Sequence, residues 1–140
     1  MIKYRWWLNM KVLTIKEPYA TLIKNNIKYI ETRSWKTNYR GELYIHAGLD
    51  KVEKKVKNKP GLAELYDENS LNYGCIVCKC NLVDCIYMTE EFINNEKKKN
   101  INNFTSGIYE VGRYAWILEN IEPINPIIAK GKLGIWNYYE

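Results

Sequence analysis

Lys28-Tyr-Ile-Glu-Thr-Arg-Ser-Trp35 is the stretch on which the reading turns. Read as an extended strand, it puts Tyr29, Glu31, Arg33 and Trp35 on one side and Lys28, Ile30, Thr32 and Ser34 on the other. Glu31 and Arg33 then share a face two residues apart. One reading makes them an ion pair that fastens a barrel, with Trp35 in the core. The other has them present an acceptor and a guanidinium fork together, which suits the mixed donors and acceptors of a base edge. Trp35 on that same face would then be a stacking platform. Lys28, at the strand's start, would reach a phosphate or act as a desolvated base.

Working outward, Lys11-Val-Leu-Thr-Ile15 is a short β-rich run, and Pro18–Lys24 reads as a helix placing Tyr19, Leu22 and Ile23 on one face. Asn25-Asn26 supplies a left-handed stop. Downstream, Asn38-Tyr-Arg-Gly41 is a turn, and Glu42–Ala47 a strand with Leu43 and Ile45 on one face and His46 on the other. Asp50 and Glu53 resemble a capping box opening a Lys-rich helix, in which Lys51, Lys54 and Lys55 would adjoin. Lys59-Pro60-Gly61 breaks it, before a short helix over Leu62–Tyr66. Gly74–Met88 is the longest apolar strand, and Thr89 opens a helix running from acidic residues to Lys97-Lys98-Lys99. Asn100–Gly107 reads as a polar loop, Tyr109–Leu118 and Ile121–Ile128 as two strands, and Lys130–Gly134 as a turn into Ile135-Trp136. Five or six strands with a few helices predict an α+β domain on a small barrel or strongly curved sheet.

The 140 residues make one domain, with residues 1–9 as an extension ahead of Met10. The net charge of +5 is uneven: residues 1–49 carry nine Lys or Arg against three acids, so the remainder is slightly acidic. A basic N-terminal third attracts polyanions. With no apolar run of membrane-spanning or signal-peptide length, a cytoplasmic protein is expected.

Cys75, Cys78, Cys80 and Cys85 tempt a zinc reading. In a strand, however, residues 75 and 78 face opposite ways, whereas zinc pairs come from tight turns; core cysteines and no metal are expected. His46 is the only histidine, which leaves no paired-histidine mechanism. It reads as structural or as a cleft residue. The lysine clusters at 51–59 and 97–99 read mainly as solvated faces.

Several motifs together resemble the ASCH domain family. They are Leu13-Thr-Ile-Lys-Glu-Pro-Tyr-Ala20, Asn26–Trp35 with its K-x-x-E-x-R core, and Tyr39-Arg-Gly-Glu-Leu-Tyr-Ile-His-Ala47. Tyr73–Cys78 with Leu82–Cys85, Arg113–Asn120 and Gly131–Trp136 are similar to its later strands. The resemblance implies a PUA-like small β pseudo-barrel with flanking helices and a cleft lined by the K-x-x-E-x-R segment. It also implies RNA binding or another nucleic-acid role, although some relatives are enzymes. One branch hydrolyses N4-acetylcytidine with a Lys, a Thr and a Glu; another has been assigned a nuclease activity. Lys28 matches the hydrolase lysine, but the hydrolase threonine falls on Glu31, and alternation turns Thr32 to the opposite face. Asn26 and Cys78 stand where the family has glycine.

The expectation is a nucleic-acid-binding module, RNA first, with a free nucleotide or nucleoside as a further ligand class and no cofactor. The ligand would lie in a basic cleft around Lys28–Trp35 formed by Lys28, Glu31, Arg33, Trp35, Arg40, His46 and Tyr19. The alternatives are a small hydrolase with Lys28 as general base and Glu31 as its partner, and a protein-interaction domain.

Overall fold

A computed structural model describes residues 9–139. Within it six strands form one sheet: β1 (Asn9–Ile15), β2 (Ile30–Arg33), β3 (Gly41–Ala47), β4 (Cys75–Tyr87), β5 (Tyr114–Ile128) and β6 (Ile135–Tyr139). Their order is β2-β5-β4-β3-β1-β6, and only β1 and β3 run parallel. That parallel pair needs a crossover, which residues 16–40 supply through helix α1 (Tyr19–Lys24) and β2. The sheet curls until β2, at one edge, returns to β1, where Arg33 Nη2 donates to Thr14 O at 2.9 Å. The expected curved α+β architecture is the one observed. Residues 1–8 of the expected extension lie outside the described residues, and Asn9 already pairs with Tyr139.

Strand alternation explains two of the three cores. Leu13 and Ile15 of β1, Leu43, Ile45 and Ala47 of β3, and Trp116 and Leu118 of β5 meet under Ala20 and Ile23 of α1. Met10, Val12, Ile76 and Trp136 form a second cluster. A third, around Ile30, Met88 and Ala115, is covered by Phe92 and Ile93 of helix α3 (Glu90–Lys99). Pro18 is the cap rather than the first residue of α1, and Asn26 takes the expected left-handed conformation at φ 62°. Thr89 caps α3, its hydroxyl accepting from Phe92 N–H at 3.1 Å.

Four readings change. Asp50 caps nothing: helix α2 (Lys54–Lys57) starts after Glu53, and Lys51, ahead of it, places its ammonium 4.4 Å from the Tyr73 ring centroid. The expected Lys51–Lys54–Lys55 stripe is therefore not a helix face. The loop expected at 100–107 contains helix α4 (Ile101–Thr105). The two strands expected over 109–128 are one, β5, beginning at Tyr114. It tolerates Pro123 and Pro126 because β2 pairs with it only as far as Ile117, which leaves one edge beyond free of ladder bonds. Finally, β2 starts at Ile30, so Lys28 is outside the strand. No helix among the described residues is long and apolar enough to cross a membrane.

The cysteines sit along β4 and its bulges. Cys78 and Cys80 are buried, and Cys80 Sγ lies 3.4 Å from Leu43 O. Burial pushes the Cys80 thiol from 9.0 up to about 12, and Cys78 rises in the same direction. Both folded values lie above the unfolded ones, so their contribution is complete below pH 9 and is lost as pH rises from there toward 12. The unfolding free energy from guanidinium titration should fall between about pH 9 and about pH 10.5, by at most about 1.4 kcal/mol per pH unit for each thiol. In a Cys78→Ala/Cys80→Ala variant the slope should flatten; an unchanged slope would assign the alkaline loss to other groups.

Candidate functional site

Where the curled sheet leaves β2 and β1 unpaired with each other, a cleft of about 660 Å³ opens. Its walls are residues 14–16, 31–33, 48–50, 106–108 and 130–134, with Tyr19, Lys28 and His46 completing the lining. Five separate loops and strand ends thus meet at an open sheet edge, whose backbone groups need partners.

Lys28 supplies one of them. Its Nζ donates to Ile30 O at 2.8 Å and to Ser106 O at 2.7 Å, and lies 3.3 Å from Glu31 Oε1. Three acceptors match the three protons of an ammonium. Burial pushes the Lys28 pKa below the usual lysine range, with Glu31 pulling the other way. Glu31 Oε2 in turn accepts from Arg33 Nε at 3.0 Å. Arg33 therefore has Nε held by Glu31 and Nη2 held by Thr14 O, while its Nη1 has no partner among the described residues. It is a guanidinium with a fixed plane and one free edge, about a quarter exposed.

The same displacement of Lys28 corrects the alternation argument. From a position two residues before β2, Lys28 reaches across to the Glu31 side instead of pointing away from it. Thr32 also lines the cleft, because at an open edge the flank of the strand is accessible as well as its faces. Its hydroxyl accepts from Ile108 N–H at 3.0 Å. The backbone closes over both residues at Gly107, where a Cβ would lie 3.1 Å from Thr32 Cγ2 and 3.4 Å from Lys28 Nζ.

On the far wall His46 is 1% exposed and both ring nitrogens are engaged. Nε2 lies 2.7 Å from Ala129 O and Nδ1 3.2 Å from Thr14 Oγ1, which also accepts from Trp136 Nε1 at 3.0 Å. The ring thus bridges Thr14 to Ala129 O and anchors the β5–β6 loop. Trp35 and Arg40 are not in the cleft lining. Trp35 packs edge-on against Trp116 at 4.8 Å, and its carbonyl accepts from Trp116 Nε1. Arg40 closes its own turn by donating to Thr37 O and Tyr39 O.

The ASCH domain model matches residues 13–128. The chain belongs to the ASCH domain family. Activating signal cointegrator 1 of Homo sapiens is 30% identical over 81 residues, 53% of this chain but 14% of that protein, so the chain spans a small part of that relative's length. Among solved structures, the ASCH protein from Zymomonas mobilis superposes with a TM-score of 0.51 at 13% identity, covering 85% of this chain and 73% of that one. A variant of that protein carrying phenylalanine for tyrosine gives the same TM-score and identity, with 75% of its chain covered. At that identity the likeness is one of fold.

In this ASCH domain the expected site residues thus divide. Tyr19, Lys28, Glu31, Arg33 and His46 meet in one cleft; Trp35 and Arg40 lie elsewhere. Of the five walls only 31–33 holds expected site residues; 14–16, 48–50, 106–108 and 130–134 hold none. The 106–108 wall sits behind α4, where a run of asparagines gives little helical signal, and the 130–134 wall looked like a plain turn. The Lys-Gly-Lys-Leu-Gly composition of the latter was the available clue.

Proposed function

We propose that this ASCH domain binds single-stranded nucleic acid, RNA first, with one nucleotide seated in the cleft. The supporting observation is the lining. Lys16, Lys28, Arg33, Lys130 and Lys132, against Glu31 and Asp50 as the acids, line a cavity whose volume lies within the ~300–1,000 Å³ of small-ligand clefts. Such a space admits one base and its sugar, not the width of a duplex. Arg33 presents its free edge to the base, and the Tyr19 ring gives an apolar flank. The neighbouring lysines add salt-sensitive attraction for the backbone. A hydrolase is the second reading, since Lys28 is buried beside the cavity. Its three protons are already accepted within the fold, which suits a structural cation better than a general base.

Fluorescence anisotropy on single-stranded RNA, double-stranded RNA and duplex DNA at two salt concentrations tests the proposal. Single-stranded RNA should bind tightest and weaken as salt rises. Arg33→Lys, which keeps the charge and loses the fork, should weaken it by about 1–3 kcal/mol. Affinity for none of the three, or affinity indifferent to both salt and Arg33→Lys, would sink the reading. Turnover of RNA or N4-acetylcytidine by purified protein, abolished in a Lys28→Met variant whose circular dichroism stays native, would promote the hydrolase.

A further inference from the structure

The wall made by residues 130–134 has properties that the base-binding reading leaves unused. None of its five amide N–H groups makes a hydrogen bond within the described residues. Lys130 and Lys132 are exposed and have no carboxylate partner there; Lys132 only leans toward the Trp136 ring, 5.9 Å from its centroid. The loop is nonetheless anchored. Ala129 N–H donates to Gly74 O at 3.1 Å, and Ala129 O lies 2.7 Å from His46 Nε2. Gly131 packs so closely that an added Cβ would stand 3.0 Å from both His46 Cε1 and Thr14 Oγ1. Gly134 closes the loop at φ 64°, in the left-handed region. Successive unpaired amides in a turn that enters the left-handed region make an anion-binding concavity. Here two lysines without a carboxylate partner among the described residues add charge.

We propose that the β5–β6 loop is a phosphate subsite, taking the phosphate of the nucleotide whose base occupies the cleft. The inference rests on the nucleic-acid reading above and adds to it. The chain would recognise a nucleotide, free or within a strand, in preference to a bare nucleoside. The amides fix the phosphate oxygens, and Lys130 and Lys132 neutralise their charge.

Inorganic phosphate alone is the first probe, followed in amide-resolved NMR. It should move the amide signals of residues 130–134 and should not do so in Lys130→Ala/Lys132→Ala. Calorimetry then compares each nucleoside with its 5′-monophosphate. The monophosphate should bind on the order of tenfold tighter, and the double variant should erase that difference while its circular dichroism stays native. Signals of 130–134 that ignore phosphate, or equal affinities for nucleoside and monophosphate, would overturn the subsite. The nucleic-acid reading would survive that result if single-stranded RNA still bound. A loop that responds to phosphate in a protein binding neither nucleotides nor RNA would overturn both.

Discussion

Replacing Lys28 by methionine is expected to lower the unfolding free energy by about 3–5 kcal/mol. The ammonium is 1% exposed and serves two backbone carbonyls and one carboxylate, so a neutral side chain of similar length leaves all three without their partner in a dry place. Ser106 O lies 78 positions away in the chain, so the loss also unfastens the 106–108 wall from β2. Urea denaturation of the variant gives the number directly. Removing Glu31 as well, in Lys28→Met/Glu31→Leu, should restore part of it, because the stranded carboxylate goes with the cation. A single-variant loss under about 1 kcal/mol would mean that the cost of burying the charge, visible in the lowered Lys28 pKa, already cancels its bonds.

Asn103→Ala should follow closely, at about 2–4 kcal/mol. Asn103 is fully buried, and its Oδ1 accepts from Tyr29 N–H at 2.9 Å and Ile30 N–H at 3.3 Å, just where the chain enters β2. Alanine leaves both donors unsatisfied, and nothing nearby replaces the carbonyl. Hydrogen exchange at the Tyr29 and Ile30 amides should accelerate with the drop in stability. Wild-type protection at those two amides would show that α4 is held to β2 by packing alone.

These two side chains also mark the limit of what the sequence discloses. β1, α1, β3, β4, α3 and β6 were readable because alternation, a proline near a helix start or a capping threonine acts over a few residues. α4 escaped because Asn100-Ile-Asn-Asn has the composition of a loop. What makes it a helix is Asn100, whose side chain accepts from Asn103 N–H, and a tertiary site for Asn103. β5 read as two strands because the apolar pattern breaks at Glu119-Asn120, where the strand continues through Asn120 at a positive φ of 53°. The cleft was half legible. The K-x-x-E-x-R segment announced Lys28, Glu31 and Arg33, but alternation sent Lys28 the wrong way, since Lys28 precedes β2, and it took no account of the open edge along which Thr32 lines the cleft. Trp35 matches neither reading: its ring meets Trp116 edge-on, yet it is 39% exposed rather than in the core and lies outside the cleft lining.

The parallel β1–β3 pairing has a consequence for how the domain comes together. Because β6 docks on β1, and β1 beside β3, the cleft draws on residues from 14 to 134 and has no counterpart in any local hairpin. Loop-closure entropy must be overcome for each of these distant pairings before any wall faces another. Partial unfolding of any one segment then abolishes the cleft as a whole. A ligand that fits it stabilises only the fully assembled chain, so its free energy of binding is added to the global transition and to no smaller cooperative unit.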